Sequence, residues 1–121
     1  PMTMGYSAVG ITTKSYEKYN LNKGERIFTN SFHQEEALID FNMCVEIPDD
    51  LDSKSATFGA LGGIAMQSIK CIPDGSKDVV LIGLGLLGQI TLRILRAKGF
   101  NCIVFDLDIK KIELAEKHGA I

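Results

Sequence analysis

The chain has 121 residues, 45% of them apolar and 23% charged, with 13 Lys and Arg against 15 Asp and Glu. That length supports one core, or pieces of two, and the composition is that of a folded, slightly acidic protein rather than a disordered one. Near balance of charge, with no basic run longer than Lys110-Lys111, argues against nucleic-acid binding, and no apolar run approaches the ~18 residues needed to span a bilayer.

Pro1 to Tyr6 lacks the basic and apolar layout of a signal peptide, so the expected compartment is the cytoplasm. Cys44, Cys71 and Cys102 are odd in number and spaced neither as metal ligands nor as a redox pair; they are expected to be reduced, mostly buried thiols. Up to about Glu46 the chain is rich in β-branched and aromatic residues between turn signals, which predicts short strands at Tyr6 to Thr13, Glu25 to Asn30 and Gln34 to Phe41. Asn22-Lys23-Gly24 reads as the turn into the second strand, and Pro48-Asp49-Asp50 closes the β-rich part. From Ser53 to Ile69 apolar residues recur at helical spacing, with Asp52 or Ser53 placed as the cap. Gly59, Gly62 and Gly63 weaken that helix and are read as allowing close backbone packing.

After a Pro- and Gly-containing linker, Cys71 to Lys77, the run Val79-Val80-Leu81-Ile82 suits a parallel strand buried on both faces. A helix follows, with Ile90, Ile94 and Ala97 on its apolar side, Gln89, Arg93 and Arg96 on its wetter side, and Gly99 as its stop. Cys102 to Phe105 is the next strand and ends at Asp106. Asp108 caps a last helix from about Ile109 to His118, which Gly119 ends.

Gly83-Leu84-Gly85-Leu86-Leu87-Gly88 fits G-x-G-x-x-G in the context that gives the pattern its meaning. Gly83 permits the tight turn off the strand, Gly85 clears a path for a pyrophosphate, and Gly88 lets the helix lie close to the sheet. The amides of Leu86 and Leu87, at the positive end of the helix dipole, would point at the phosphates. Asp106 lies 18 residues beyond Gly88, near the ~20-residue spacing of the carboxylate that binds the adenosine ribose. A carboxylate there accepts from ribose hydroxyls and repels a 2′-phosphate, which favours NAD over NADP, although Lys110 and Lys111 partly offset the repulsion. The bland reading of such a turn is packing alone.

These residues resemble the medium-chain dehydrogenase/reductase family, the alcohol-dehydrogenase-like enzymes. Asp78 through Gln89, Phe105-Asp106-Leu107-Asp108 and Leu114-Ala115-Glu116-Lys117-His118-Gly119-Ala120 are similar to the opening of its cofactor domain. Gly5-Tyr6-Ser7-Ala8-Val9-Gly10, Gly24-Glu25-Arg26-Ile27 and Ile47-Pro48-Asp49-Asp50 resemble its barrel-like catalytic domain. Phe58-Gly59-Ala60-Leu61-Gly62-Gly63-Ile64-Ala65 is similar to the helix between the two. The resemblance implies an α/β chain: the end of a GroES-like β-barrel catalytic domain (1–50), a connecting helix and linker (51–77), and the N-terminal half of a Rossmann NAD-binding domain (78–121). It also implies that Lys111 occupies a position that often reaches the adenosine ribose, against the plain reading of a solvated helix lysine.

Zinc-dependent members of that family have Gly-His-Glu where this chain has Gly5-Tyr6-Ser7, and Phe58 to Gly62 offers no Cys, His or Asp. No metal is therefore expected, and the nearest branch is the zinc-free one fused to a second oxidoreductase domain. The resemblance implies a longer parent, of which this chain is an internal fragment. Half a doubly wound sheet would leave an open edge and uncovered apolar faces, so self-association into a homo-oligomer or marginal stability is expected. The activity implied is NAD(H)-dependent hydride transfer to or from a small alcohol or carbonyl substrate, with the catalytic acid or base unassigned and turnover by this chain alone not expected. The competing readings are a nucleotide-sensing regulatory domain of a transport protein and a methyltransferase. Among the remaining residues, Tyr6 either faces substrate beside Ser7 or is a half-buried strand tyrosine, His118 favours the negative end of its helix, and His33 receives no role.

Overall fold

A computed structural model describes residues 4–121, so residues 1–3 of the stretch read for a signal peptide, and of the expected first domain, lie outside the described residues. The chain divides into two compact units, one up to Ala60 and one from Leu61 to Ile121.

The first unit holds a three-stranded antiparallel sheet of β1 (Ala8–Ile11), β2 (Arg26–Thr29) and β3 (Cys44–Glu46), with β2 in the centre. Ala8 pairs with Thr29, and Thr29 with Cys44. The turn at Asn22-Lys23-Gly24 is closed by Glu25, whose carboxylate accepts from the Asn22 backbone amide at 2.8 Å and from its side-chain amide at 2.7 Å. The strand expected over Gln34 to Phe41 does not form. β2 pairs with β1 and β3, and this segment adds no further strand to the sheet; Leu38 is 98% exposed. At its end the Asp40 carboxylate accepts from the Asn42 amide at 2.9 Å and starts a 3-10 turn over Phe41–Met43.

The single helix expected from Ser53 to Ile69 is two, α1 (Ser53–Ala56) and α2 (Gly59–Ile69). Asp52 caps α1 as expected, accepting from the amides of Lys54 at 2.9 Å and Ser55 at 3.0 Å. The break follows from two hydroxyls that compete for backbone groups. Thr57 Oγ1 donates to the Lys54 carbonyl at 2.6 Å, and Ser7 Oγ donates to the Thr57 carbonyl at 2.5 Å. Close packing by the three glycines holds only at Gly59, where a Cβ would meet the Phe28 ring; Gly62 and Gly63 face open space.

In the second unit β4 (Asp78–Ile82), α3 (Leu86–Ala97), β5 (Asn101–Phe105) and α4 (Ile109–Lys117) follow in order, and β4 pairs with β5 in parallel from Asp78–Asn101 to Ile82–Phe105. A helical crossover between parallel strands is the βαβ arrangement. Ile69, Leu84, Leu92, Leu95, Cys102, Val104 and Ala115 form its buried core. Both helices stop as expected at glycines: the amides of Gly99 and Phe100 reach back to Arg96 and Leu95, and those of Gly119 and Ala120 to Glu116 and Ala115, which satisfies the last carbonyls of each helix.

Two expectations for this unit, and one for the cysteines of the whole chain, are corrected. Val79 to Ile82 is not buried on both faces. Val79 and Leu81 face the core, whereas Ile82 is 80% and Phe105 55% exposed, and Val80 and Ile103 lie on the same open face. The buried side of α3 is Gln89, Thr91, Leu92 and Leu95, with Ile90 and Ile94 only partly covered and Ala97 exposed. Gln89 is accepted there because its amide is hydrogen-bonded at both ends. The thiols are free, but only Cys102 is buried; Cys71 lies exposed just past α2 and Cys44 is half-buried at an outer strand.

Candidate functional site

The turn between β4 and α3 is fixed by its own backbone. Gly83 turns at φ +93°, in the left-handed region where a side chain is disfavoured, and its amide donates to the Phe105 carbonyl at 2.8 Å. A Cβ on Gly88 would overlap the Gly83 carbonyl oxygen, whereas nothing lies within 4 Å of the place a Cβ on Gly85 would take. The missing side chain at Gly88 lets the start of α3 lie against the end of β4, and that at Gly85 leaves open space over the turn. Leu84, between the glycines, points inward and is part of the core.

The start of α3 differs from the starts of α1 and α4. Those begin at Asp52 and Asp108, whose carboxylates accept from the first amides; α3 begins at Gly85 with no side-chain acceptor and no acidic residue in its first turn. The amides of Leu86 and Leu87 also have no i−4 carbonyl within the helix. Their donors and the helix dipole are thus left for an anion.

Asp106 follows the last residue of β5 and bridges to this turn. Its Oδ2 accepts from the Leu84 amide at 2.6 Å and its Oδ1 from the Asp108 amide at 2.9 Å. Hydrogen bonds from Asp108 and Leu84, with the Lys111 ammonium, hold the carboxyl below the ordinary carboxylate range, so it is ionised at neutral pH. Lys111 Nζ stands 3.7 Å from Asp106 and 3.8 Å from Asp108. Two carboxylates share one ammonium, leaving one negative charge in excess. Asp106 is 12% exposed, and each of its oxygens keeps lone-pair capacity for a further donor.

The sequence-predicted residues Gly83, Gly85, Leu86, Leu87, Gly88, Asp106 and Lys111 therefore meet around one turn. Two participants were not singled out for this site: Asp108, the second partner of Lys111, legible in hindsight from the i,i+3 spacing, and Gln89, whose apparent place on the wet face concealed it.

Elsewhere the picture is plainer. Tyr6 is exposed ahead of β1, Ser7 is spent on Thr57, and the His33 ring lies against Gly5 with Nε2 3.3 Å from the Ser7 carbonyl. His118 stands at the C-terminal cap of α4, where a cation is favoured. Among the described residues no three or more His, Cys, Asp or Glu gather where they could hold a metal ion, and no helix is long and apolar enough to cross a membrane. The first unit has an open cavity of 610 Å³ between its sheet and residues 31–41, and the buried Thr29 hydroxyl, on its wall, has no hydrogen-bond partner among the described residues.

No protein-family model matches the chain, and no curated protein matches it. Solved structures do. 2R,3R-butanediol dehydrogenase from Bacillus subtilis aligns with all of this chain at TM-score 0.78 and 19% identity. Galactitol-1-phosphate dehydrogenase from Escherichia coli aligns with 99% of it at TM-score 0.78 and 17% identity, and a mycobacterial protein solved with NADPH with 96% at TM-score 0.77 and 19% identity. This chain has the fold of part of a medium-chain dehydrogenase/reductase. It spans 44%, 44% and 39% of these three chains, respectively. At such identities the likeness carries the fold; the matched proteins are dehydrogenases and a nicotinamide-cofactor complex, and a transport-regulator reading gains no support from them.

Proposed function

We propose that this chain carries the NAD(H)-binding opening, and an adjoining part of the catalytic domain, of a longer zinc-independent oxidoreductase that moves hydride between nicotinamide and a small alcohol or carbonyl substrate. The observation that carries the reading is the Asp106 carboxylate, ionised and held by the Leu84 amide against a glycine turn whose next helix starts uncapped. The residues present fit a dinucleotide: open space over Gly85 for a pyrophosphate, the amides of Leu86 and Leu87 to receive it, and Asp106 to accept from ribose hydroxyls. When bound, nicotinamide supplies the hydride chemistry; the chain's own part is to bind and orient.

The negative charge left over among Asp106, Asp108 and Lys111 supports a preference for NAD, because a 2′-phosphate would approach an uncompensated carboxylate. Tyr6 and Ser7, standing where zinc-dependent members of the resembled family have ligand residues, support a site that works without zinc. The open face of Val80, Ile82, Ile103 and Phe105 supports contact with further chain or a second copy.

Calorimetric titration of the folded chain with NADH and NADPH tests the reading. Tighter binding of NADH, weakened in Asp106→Ala, supports it. Failure of the folded chain to bind either nucleotide, both alone and when lengthened to the size of its structural neighbours, would refute it.

A further inference from the structure

We infer that Gln89 is a positioning residue that sets the ribose end of the site, an inference that rests on the dinucleotide reading of the glycine turn. Gln89 is polar, yet only 7% exposed on the core side of α3, one residue after the last glycine of the turn. Its Nε2 donates to the Lys111 carbonyl at 3.0 Å, and its Oε1 lies 3.5 Å from Arg93 Nη1, which also donates to the Gln89 carbonyl at 2.9 Å. Both partners dictate the amide's orientation, since a carbonyl only accepts and a guanidinium only donates.

The link joins two parts of the site that are otherwise separate. α3 begins with the amides that face the phosphate position; α4 begins with Asp108 and carries Lys111 beside Asp106. Within α4 the Lys111 carbonyl serves the helix with one lone pair and has a second free, and Gln89 takes it. The first turn of α4 is thereby held at a fixed distance from the glycine turn, and with it the Lys111 ammonium at 3.7 Å from Asp106. Asp108 caps this turn from its own side through the Lys110 amide at 3.0 Å, so without Gln89 the helix keeps its cap but loses its anchor to α3 and opens more readily.

Gln89→Met, similar in size but without donor or acceptor, tests this in the full chain. In the absence of nucleotide, amide exchange in the α4 segment Ile112 to Ala115 should quicken about 5-fold while β4 and β5 keep their protection, as expected for loss of one buried hydrogen bond. With NADH and NADPH as probes, the NADH Kd should rise about 5-fold and NADPH should weaken further, so that the preference for NADH rises, because Lys111 no longer offsets the two carboxylates that face a 2′-phosphate. A purely structural role would quicken exchange throughout the unit and leave the NADH-to-NADPH ratio unchanged, and either result overturns the inference. Should the wild-type chain bind neither nucleotide, both alone and when lengthened to the size of its structural neighbours, the dinucleotide reading fails and takes the specificity role of Gln89 with it. The exchange measurement then still decides whether Gln89 anchors α4.

Discussion

Replacing Gly88 by alanine tests whether close approach of α3 to the end of β4 shapes the glycine turn. The added carbon would overlap the Gly83 carbonyl oxygen, a main-chain atom that cannot rotate aside. Nor can the turn easily yield, because Gly83 is tied to the Phe105 carbonyl at 2.8 Å and Leu84 to Asp106 at 2.6 Å. Alanine gains ~1 kcal/mol over glycine in helix propensity, whereas forcing a carbon into filled space costs about 1–3 kcal/mol. With backbone on the receiving side the upper end applies, so the net loss is about 2 kcal/mol. Gly63→Ala is the internal control: it lies in α2 with nothing within 4 Å of the new carbon, and should gain up to about 1 kcal/mol. Urea dependence of amide exchange in β4 and β5 reports on this unit alone. The reasoning is refuted if Gly88→Ala matches the wild type or gains stability as the control does.

Leu92, with no exposed surface in the core between α3 and the sheet, should cost about 2–5 kcal/mol when cut to alanine, read by the same exchange measurement. Asp106 makes stability pH-dependent. Its folded-state pKa lies below the unfolded value, so its contribution is present above ~3.9 and lost as pH falls through the folded value. Urea melts from neutral to acid pH should show that loss in the wild type and less of it in Asp106→Asn. Ile82→Lys, at a side chain 80% exposed on the open sheet face, should leave stability within about 0.5 kcal/mol and lower any self-association seen by sedimentation; unchanged association would remove that face from the contact.

What the sequence made legible was local. Asp52 and Asp108 cap their helices because a carboxylate before a helical run has few better partners than the first amides, and Gly99 and Gly119 stop theirs through backbone bonds that side chains do not alter. The glycine turn and Asp106 were readable because spacing along a βαβ unit fixes spacing in space. Three misreadings concern partners that the local sequence does not show. Gln34 to Phe41 has strand-like residues but pairs with no strand of the sheet. The helix break after Ala56 depends on Ser7, 50 positions away from Thr57. Gln89 looked wet because polarity was taken for exposure, when its amide had found a carbonyl on another helix.

The most direct test of the central claim is to map NADH onto the isotope-labelled chain by NMR. The account predicts that shifts concentrate at the amides of Gly83 to Gly88 and of Asp106 to Lys111, and that Asp106→Ala weakens them. Saturable shifts confined to the cavity wall around Thr29, or anywhere away from the glycine turn, would contradict it.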